Sequence, residues 1–138
     1  MEPSYATGLV WFRRDLRALD HAALYHALTQ CQQVHCVFVF DTDILAPLPR
    51  ADRRVEFIRE SLVELDAHLR ELSGHAQGGL IVRHAAAADA LPQLAQSLGV
   101  NAVFTNHDDE PQALQRDAAV RTQLARNGVA MHTYKDHT

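Results

Sequence analysis

Five short apolar runs alternate with four stretches of helical periodicity, and that alternation limits the possible folds more than any other feature of the chain. Gly8 to Phe12 is a buried-strand pattern. Asp20 is placed to cap a helix through Ala22, Ala23, Leu24, Ala27 and Leu28. Val34 to Phe40 is β-branched and aromatic, as a second strand would be. From Asp52 to Leu72, apolar residues fall at Val55, Ile58, Leu62, Leu65, Leu69 and Leu72, the spacing of a long amphipathic helix. Leu80 to Val82 makes a third strand, and Ala85 to Leu98 a helix closed by Gly99. Val100 to Phe104 makes a fourth strand. Pro111 opens a helix that stops at Asn127-Gly128, and Val129 to Tyr134 completes the set.

Strands separated by helices predict an α/β fold: a five-stranded parallel sheet, doubly wound, with order 3-2-1-4-5. The switch point then falls between strands 1 and 4. Three segments converge there: Arg13 to Arg17, Asp41 to Ile44, and Asn106 to Glu110. A phosphate-binding turn at the first of them would need glycines. Arginines and an aspartate stand there instead.

The chain has 138 residues, the size of one domain, and no linker, repeat or low-complexity tract divides it. Its net charge of −4 argues against nucleic-acid binding by this domain alone, because phosphate recognition depends on Lys and Arg. The longest apolar run, Cys36 to Phe40, is too short for a membrane span, and no secretory leader is visible. Cytoplasm is the expected location. The cysteines, Cys31 and Cys36, are expected to be free buried thiols. The nine histidines show no metal-ligand spacing, so no metal site is expected. No nucleophile elbow or acid–base pair is evident, so no catalytic residue is assigned.

Val10-Trp11-Phe12-Arg13-Arg14-Asp15-Leu16-Arg17, followed by Asp20 and Ala23-Leu24, resembles the opening signature of DNA photolyases and cryptochromes. Phe38 to Asp41 with Asp43-Ile44-Leu45, Arg54 to Phe57 with Ser61-Leu62 and Leu65, and Asn106 to Pro111 with Arg116-Asp117 extend the resemblance along the chain. Tyr134-Lys135-Asp136 falls where that family leaves its first domain. The resemblance implies that residues 1–138 are a single N-terminal α/β domain carrying a light-harvesting antenna chromophore. It also implies a C-terminal helical domain, outside this chain, that binds FAD and damaged DNA and packs against the first domain. The parent protein would be a deoxyribodipyrimidine photo-lyase, splitting pyrimidine dimers by light-driven electron transfer from reduced FAD, or a cryptochrome photoreceptor. This domain alone would be inactive.

Arg13, Asp41, Arg54, Asp108 and Glu110 are the candidate chromophore-binding residues. For the arginine cluster the competing reading is a structural knot in which Asp15 pairs with an arginine or caps the turn and the rest face the C-terminal domain. Arg54 matches a family position near the site in deazaflavin-binding members. Asp108 and Glu110 can accept hydrogen bonds from the N–H groups of a ring edge, or simply favour a helix N-terminus. Folate-binding members carry an Asn-Glu pair at positions where this chain has Gln112-Ala113. A deazaflavin or flavin is therefore expected rather than a folate. His21 replaces the family's usual Asn. A stand-alone nucleotide-binding α/β module would need a glycine-rich loop near the fourth strand, and Asn106 to Pro111 contains no glycine.

Overall fold

A computed structural model describes residues 4–13, 16–41, 53–73 and 79–135, with the side chains of 53–55 and 73 excepted. The strands are β1 (Tyr5–Phe12), β2 (Cys31–Asp41), β3 (Leu80–Ala85), β4 (Ala102–Asn106) and β5 (Ala130–Tyr134). The helices are α1 (Ala22–Gln30), α2 (Arg53–Ser73), α3 (Ala87–Leu98) and α4 (Pro111–Arg126). All strand pairs are parallel, in the order β3-β2-β1-β4-β5. This is the doubly wound sheet that the alternation requires.

Strand alternation sorts the core onto two faces. Leu9 and Trp11 of β1, with Val37, Val39 and Val103, pack under α3 and α4. Val10, Phe12, Cys36 and Phe104 point the other way, against α1 and α2. Helix α2 delivers Leu65 and Leu69 to that second face, and Leu62 packs on Phe38 and Phe40. Gly8 is the close-approach point: a Cβ there would lie 2.4 Å from Cys31 Sγ.

β1, β2 and β3 run longer than their apolar stretches suggest, whereas β4 is shifted two residues onward and β5 is one residue shorter. β2 begins at Cys31, directly from the end of α1, and its amino half carries the exposed Gln32 and Gln33. Only its carboxyl half is enclosed on both faces and therefore legible as an apolar run. The cap of α1 also differs from expectation. Asp20 takes a left-handed φ of 55°, and His21 is the capping residue, its Nδ1 accepting from Leu24 N at 3.1 Å. Imidazole supplies the acceptor that Asp20, turned away by its backbone, does not. Gly99 closes α3 in the left-handed conformation, and Pro111 opens α4.

Candidate functional site

Pairing of β1 with β2 continues to Phe12 and Phe38, but pairing of β1 with β4 stops at Val10 and Phe104. Beyond that point the Thr105 hydroxyl donates to the Trp11 carbonyl at 2.8 Å. That bond satisfies a buried acceptor where the strand ladder ends. The crevice at the carboxyl ends of the strands opens here, at the switch point.

Asn106, the last residue of β4, ties the crevice together. Its side-chain oxygen accepts from Ala23 N at 2.9 Å, and its amide nitrogen lies 3.3 Å from His21 Nε2. Its backbone carbonyl accepts from Arg13 Nη2. The other terminal nitrogen of Arg13 donates to both carboxylate oxygens of Asp117, at 2.5 and 2.6 Å. Both side chains are buried, 6% and 7% exposed. Arg13 of this turn is thus paired with an aspartate from α4. Arg14 and Asp15 lie outside the described residues.

Asp117 reaches Arg13 because it lies in the apolar stripe of α4 with Ala113, Val120 and Leu124, all buried. The preceding residue, the half-buried Arg116, lies 3.4 Å from Asp117 through Nε. The guanidinium groups of Arg13 and Arg116 lie 4.9 and 5.0 Å from the centre of the Trp11 ring. Burial, followed by the repulsion of Arg13, lowers the Arg116 pKa from its ordinary value; Asp117 and Asp41 oppose that shift.

A cavity of about 270 Å³ occupies the crevice. Trp11, Phe38 and Ile58 give it apolar walls. Arg13 and Arg116 line it beside Asp41 from β2, and Asp108, Glu110, Gln112 and Ala113 close it from the β4–α4 connection. Four of the five candidates thus surround one space. Arg54 lies in the first turn of α2, with its side chain outside the described residues. Asp108 Oδ1 accepts from Glu110 N at 3.1 Å, which orders the loop before α4. Glu110 is the α4 cap position and makes no side-chain capping bond. Asp41 is buried.

Because Asp117 offsets Arg13, the other charged lining among the described residues is Asp41, Asp108, Glu110 and Arg116. Such carboxylates can accept hydrogen bonds from ring N–H groups. Trp11 and Arg116 were not singled out from sequence as cavity residues. A charge inside the apolar stripe of α4, at Asp117, was the available signal. Among the described residues, no group of three or more His, Cys, Asp or Glu is placed to hold a metal ion, and no helix is long and apolar enough to cross a membrane.

The DNA photolyase family model matches residues 8–138. A deoxyribodipyrimidine photo-lyase of Halobacterium salinarum is 37% identical, over 93% of this chain and 27% of its own length. A cryptochrome DASH of Natronomonas pharaonis is 32% identical, over 96% of this chain and 28% of its own. An archaeal photolyase from Sulfolobus tokodaii superposes with a TM-score of 0.83 at 32% identity, over 94% of this chain and 29% of its own. That structure is described as holding two FAD molecules, with the implication of a novel light-harvesting cofactor. The chain thus spans less than a third of the length of these relatives. With its doubly wound sheet and the Arg13 turn at the switch point, this chain belongs to the DNA photolyase family.

Proposed function

We propose that this chain is the antenna domain of a deoxyribodipyrimidine photo-lyase and that the crevice cavity seats the ring of a flavin or deazaflavin. The observation that carries the reading is the lining itself: apolar walls from Trp11, Phe38 and Ile58, with carboxylate acceptors at Asp41, Asp108 and Glu110. At about 270 Å³ the cavity lies just below the roughly 300–1,000 Å³ of small-molecule sites, which suits a ring system more than a whole dinucleotide. Ala113 is buried against this space, so the helix offers no carboxylate where folate-binding family members have one. When bound, the chromophore would absorb near-UV or blue light and pass the excitation to the catalytic flavin. The chain's own groups would hold and orient it. Trp11, Phe38 and Ile58 exclude water, Asp41, Asp108 and Glu110 meet ring donors, and the Arg13–Asp117 pair keeps the wall rigid. Arg54 would add a cation at the start of α2.

In the parent protein we place this domain ahead of a helical domain that holds FAD and damaged DNA and packs against this one. The photo-lyase reading rests on the 37% identity to the Halobacterium enzyme. The cryptochrome DASH similarity favours a second reading, a photoreceptor built on the same domain. Repair decides between them. The full-length parent, with its flavin reduced, should restore pyrimidine-dimer oligonucleotides under blue or near-UV light and not in the dark. Flavin-loaded protein with no light-dependent repair would establish the photoreceptor reading.

A further inference from the structure

Trp11 is a wall of the crevice cavity and the only tryptophan of the chain. Its ring has two charged neighbours. The guanidinium of Arg13 lies 4.9 Å from the ring centre and that of Arg116 5.0 Å, and both arginines line the same cavity. An aliphatic side chain would cover the indole without the desolvation that lowers the Arg116 pKa. The charge, rather than the packing, is therefore the feature to explain.

Indole is the most readily oxidised of the side chains, and a photoexcited flavin-type ring is a strong one-electron oxidant. When the two touch, one electron passes from the indole to the ring and leaves the indole a radical cation. The electron then returns and the excitation is lost as heat. No other reactant is consumed and no proton has to move. A ring filling about 270 Å³ meets every wall, Trp11 included. A light-harvesting seat walled by this indole works only if that transfer is slow.

The charges of the crevice are sorted against it. The cations lie on the indole, and the carboxylates Asp41, Asp108 and Glu110 are the acceptors for the N–H groups of the ring. An electron leaving Trp11 for the ring moves away from positive charge and toward negative charge, and Coulomb's law opposes it at both ends. Asp117 holds Arg13 at 2.5 and 2.6 Å and Arg116 at 3.4 Å, so Arg116 keeps more of its effect on the ring. At an effective dielectric constant of about 20, a unit charge 5.0 Å away disfavours the indole cation by about two-hundredfold.

We propose that Arg116, assisted by Arg13, protects Trp11 from oxidation by the photoexcited chromophore and so keeps the excitation available for transfer. The proposal rests on the reading of the cavity as the seat of a flavin or deazaflavin ring. Arg116 is then a positioning residue that acts through the indole.

The test follows the emission decay of the second chromophore in the full-length parent, together with the transient absorbance of an indole radical cation. With roughly half of the electrostatic effect entering the barrier, Arg116→Gln should raise the Trp11-dependent part of the decay rate about tenfold. The radical should appear as the emission falls. Arg116→Lys, which keeps the charge, should restore most of the parent lifetime. The double variant Trp11→Phe, Arg116→Gln should decay as Trp11→Phe does. A lifetime in Arg116→Gln equal to that of the parent, or a shortening that persists without the indole, would overturn the proposal. The same effect is read without any chromophore on the 138-residue chain, where Trp11 is the only indole. Pulse radiolysis against a soluble phenothiazine should show the oxidation equilibrium of Trp11 shifted about two-hundredfold toward the radical in Arg116→Gln. An unchanged equilibrium would also overturn the proposal. Chromophore released on denaturation is counted on the same preparations. A parent with no second chromophore overturns the reading of the cavity itself, whereas a bound chromophore whose decay ignores Arg116 overturns this inference alone.

Discussion

Replacing Asp117 by Ala would remove the carboxylate that offsets Arg13 inside the protein. The pair is 6% and 7% exposed, so neither solvent nor salt screens it appreciably. Arginine cannot shed its proton, so Asp117→Ala leaves a fixed buried charge that still donates to the Asn106 carbonyl. Arg116 worsens the imbalance. It also contacts Asp117, and its pKa is already lowered by burial and by the charge of Arg13. Breaking a buried pair by removing one partner costs about 3–5 kcal/mol, and two facing guanidinium groups over Trp11 place this case toward the upper end. With a urea m-value of roughly 2 kcal/mol/M, the midpoint should fall by about 2 M. The fluorescence of Trp11, the only tryptophan of the chain, reports the transition from directly beneath the pair. The double variant Arg13→Met, Asp117→Leu should recover to within about 1 kcal/mol of the parent, because an apolar replacement of a buried pair is often neutral. A loss under about 1 kcal/mol in Asp117→Ala, or a double variant as unstable as the single, would refute the view that this pair holds the turn.

Three further outcomes are expected. Gly8→Ala would press a Cβ to 2.4 Å from Cys31 Sγ and 3.1 Å from Phe104 Cε1, and should cost about 1–3 kcal/mol in chemical denaturation. In a Cys31→Ala background the same change should cost less than half as much, since the closest contact is then gone. Burial pushes the Cys36 thiol from 9.0 up to about 12, so it should resist iodoacetamide at pH 8 in the folded protein and react on unfolding. The raised value also sets a pH dependence: its contribution is fully present below pH 9.0 and lost as pH rises toward 12. Unfolding free energy measured from pH 8 upward should therefore decline less steeply in Cys36→Ala.

The sheet order could be read from the sequence because each buried strand segment is an apolar run bounded by turn residues, and right-handed crossovers leave few ways to arrange five of them. The convergence of Arg13, Asp41, Asp108 and Glu110 followed from that order alone. Less legible was whatever depends on partners distant along the chain. The two polar residues after Cys31 hid the start of β2, because an exposed strand half carries no apolar signature. The α1 cap moved from Asp20 to His21 because a backbone torsion decided which side chain faced the helix. The cavity roles of Trp11 and Arg116 escaped notice because an aromatic ring in an apolar strand reads as core. Only the spatial neighbourhood shows that two cations lie over it.

In the proposed function, the crevice between β1, β2 and the start of α4 holds the antenna chromophore. The direct measurement is the chromophore released per chain when the purified full-length parent is denatured, compared with the Ala113→Trp variant, in which the indole fills the cavity. The parent protein should release a flavin or deazaflavin in addition to its catalytic FAD. Ala113→Trp should lose that second chromophore and keep the FAD, which also shows that the variant is folded. Equal release of the second chromophore from both proteins, or a folate in its place, would contradict a flavin or deazaflavin seat in this crevice.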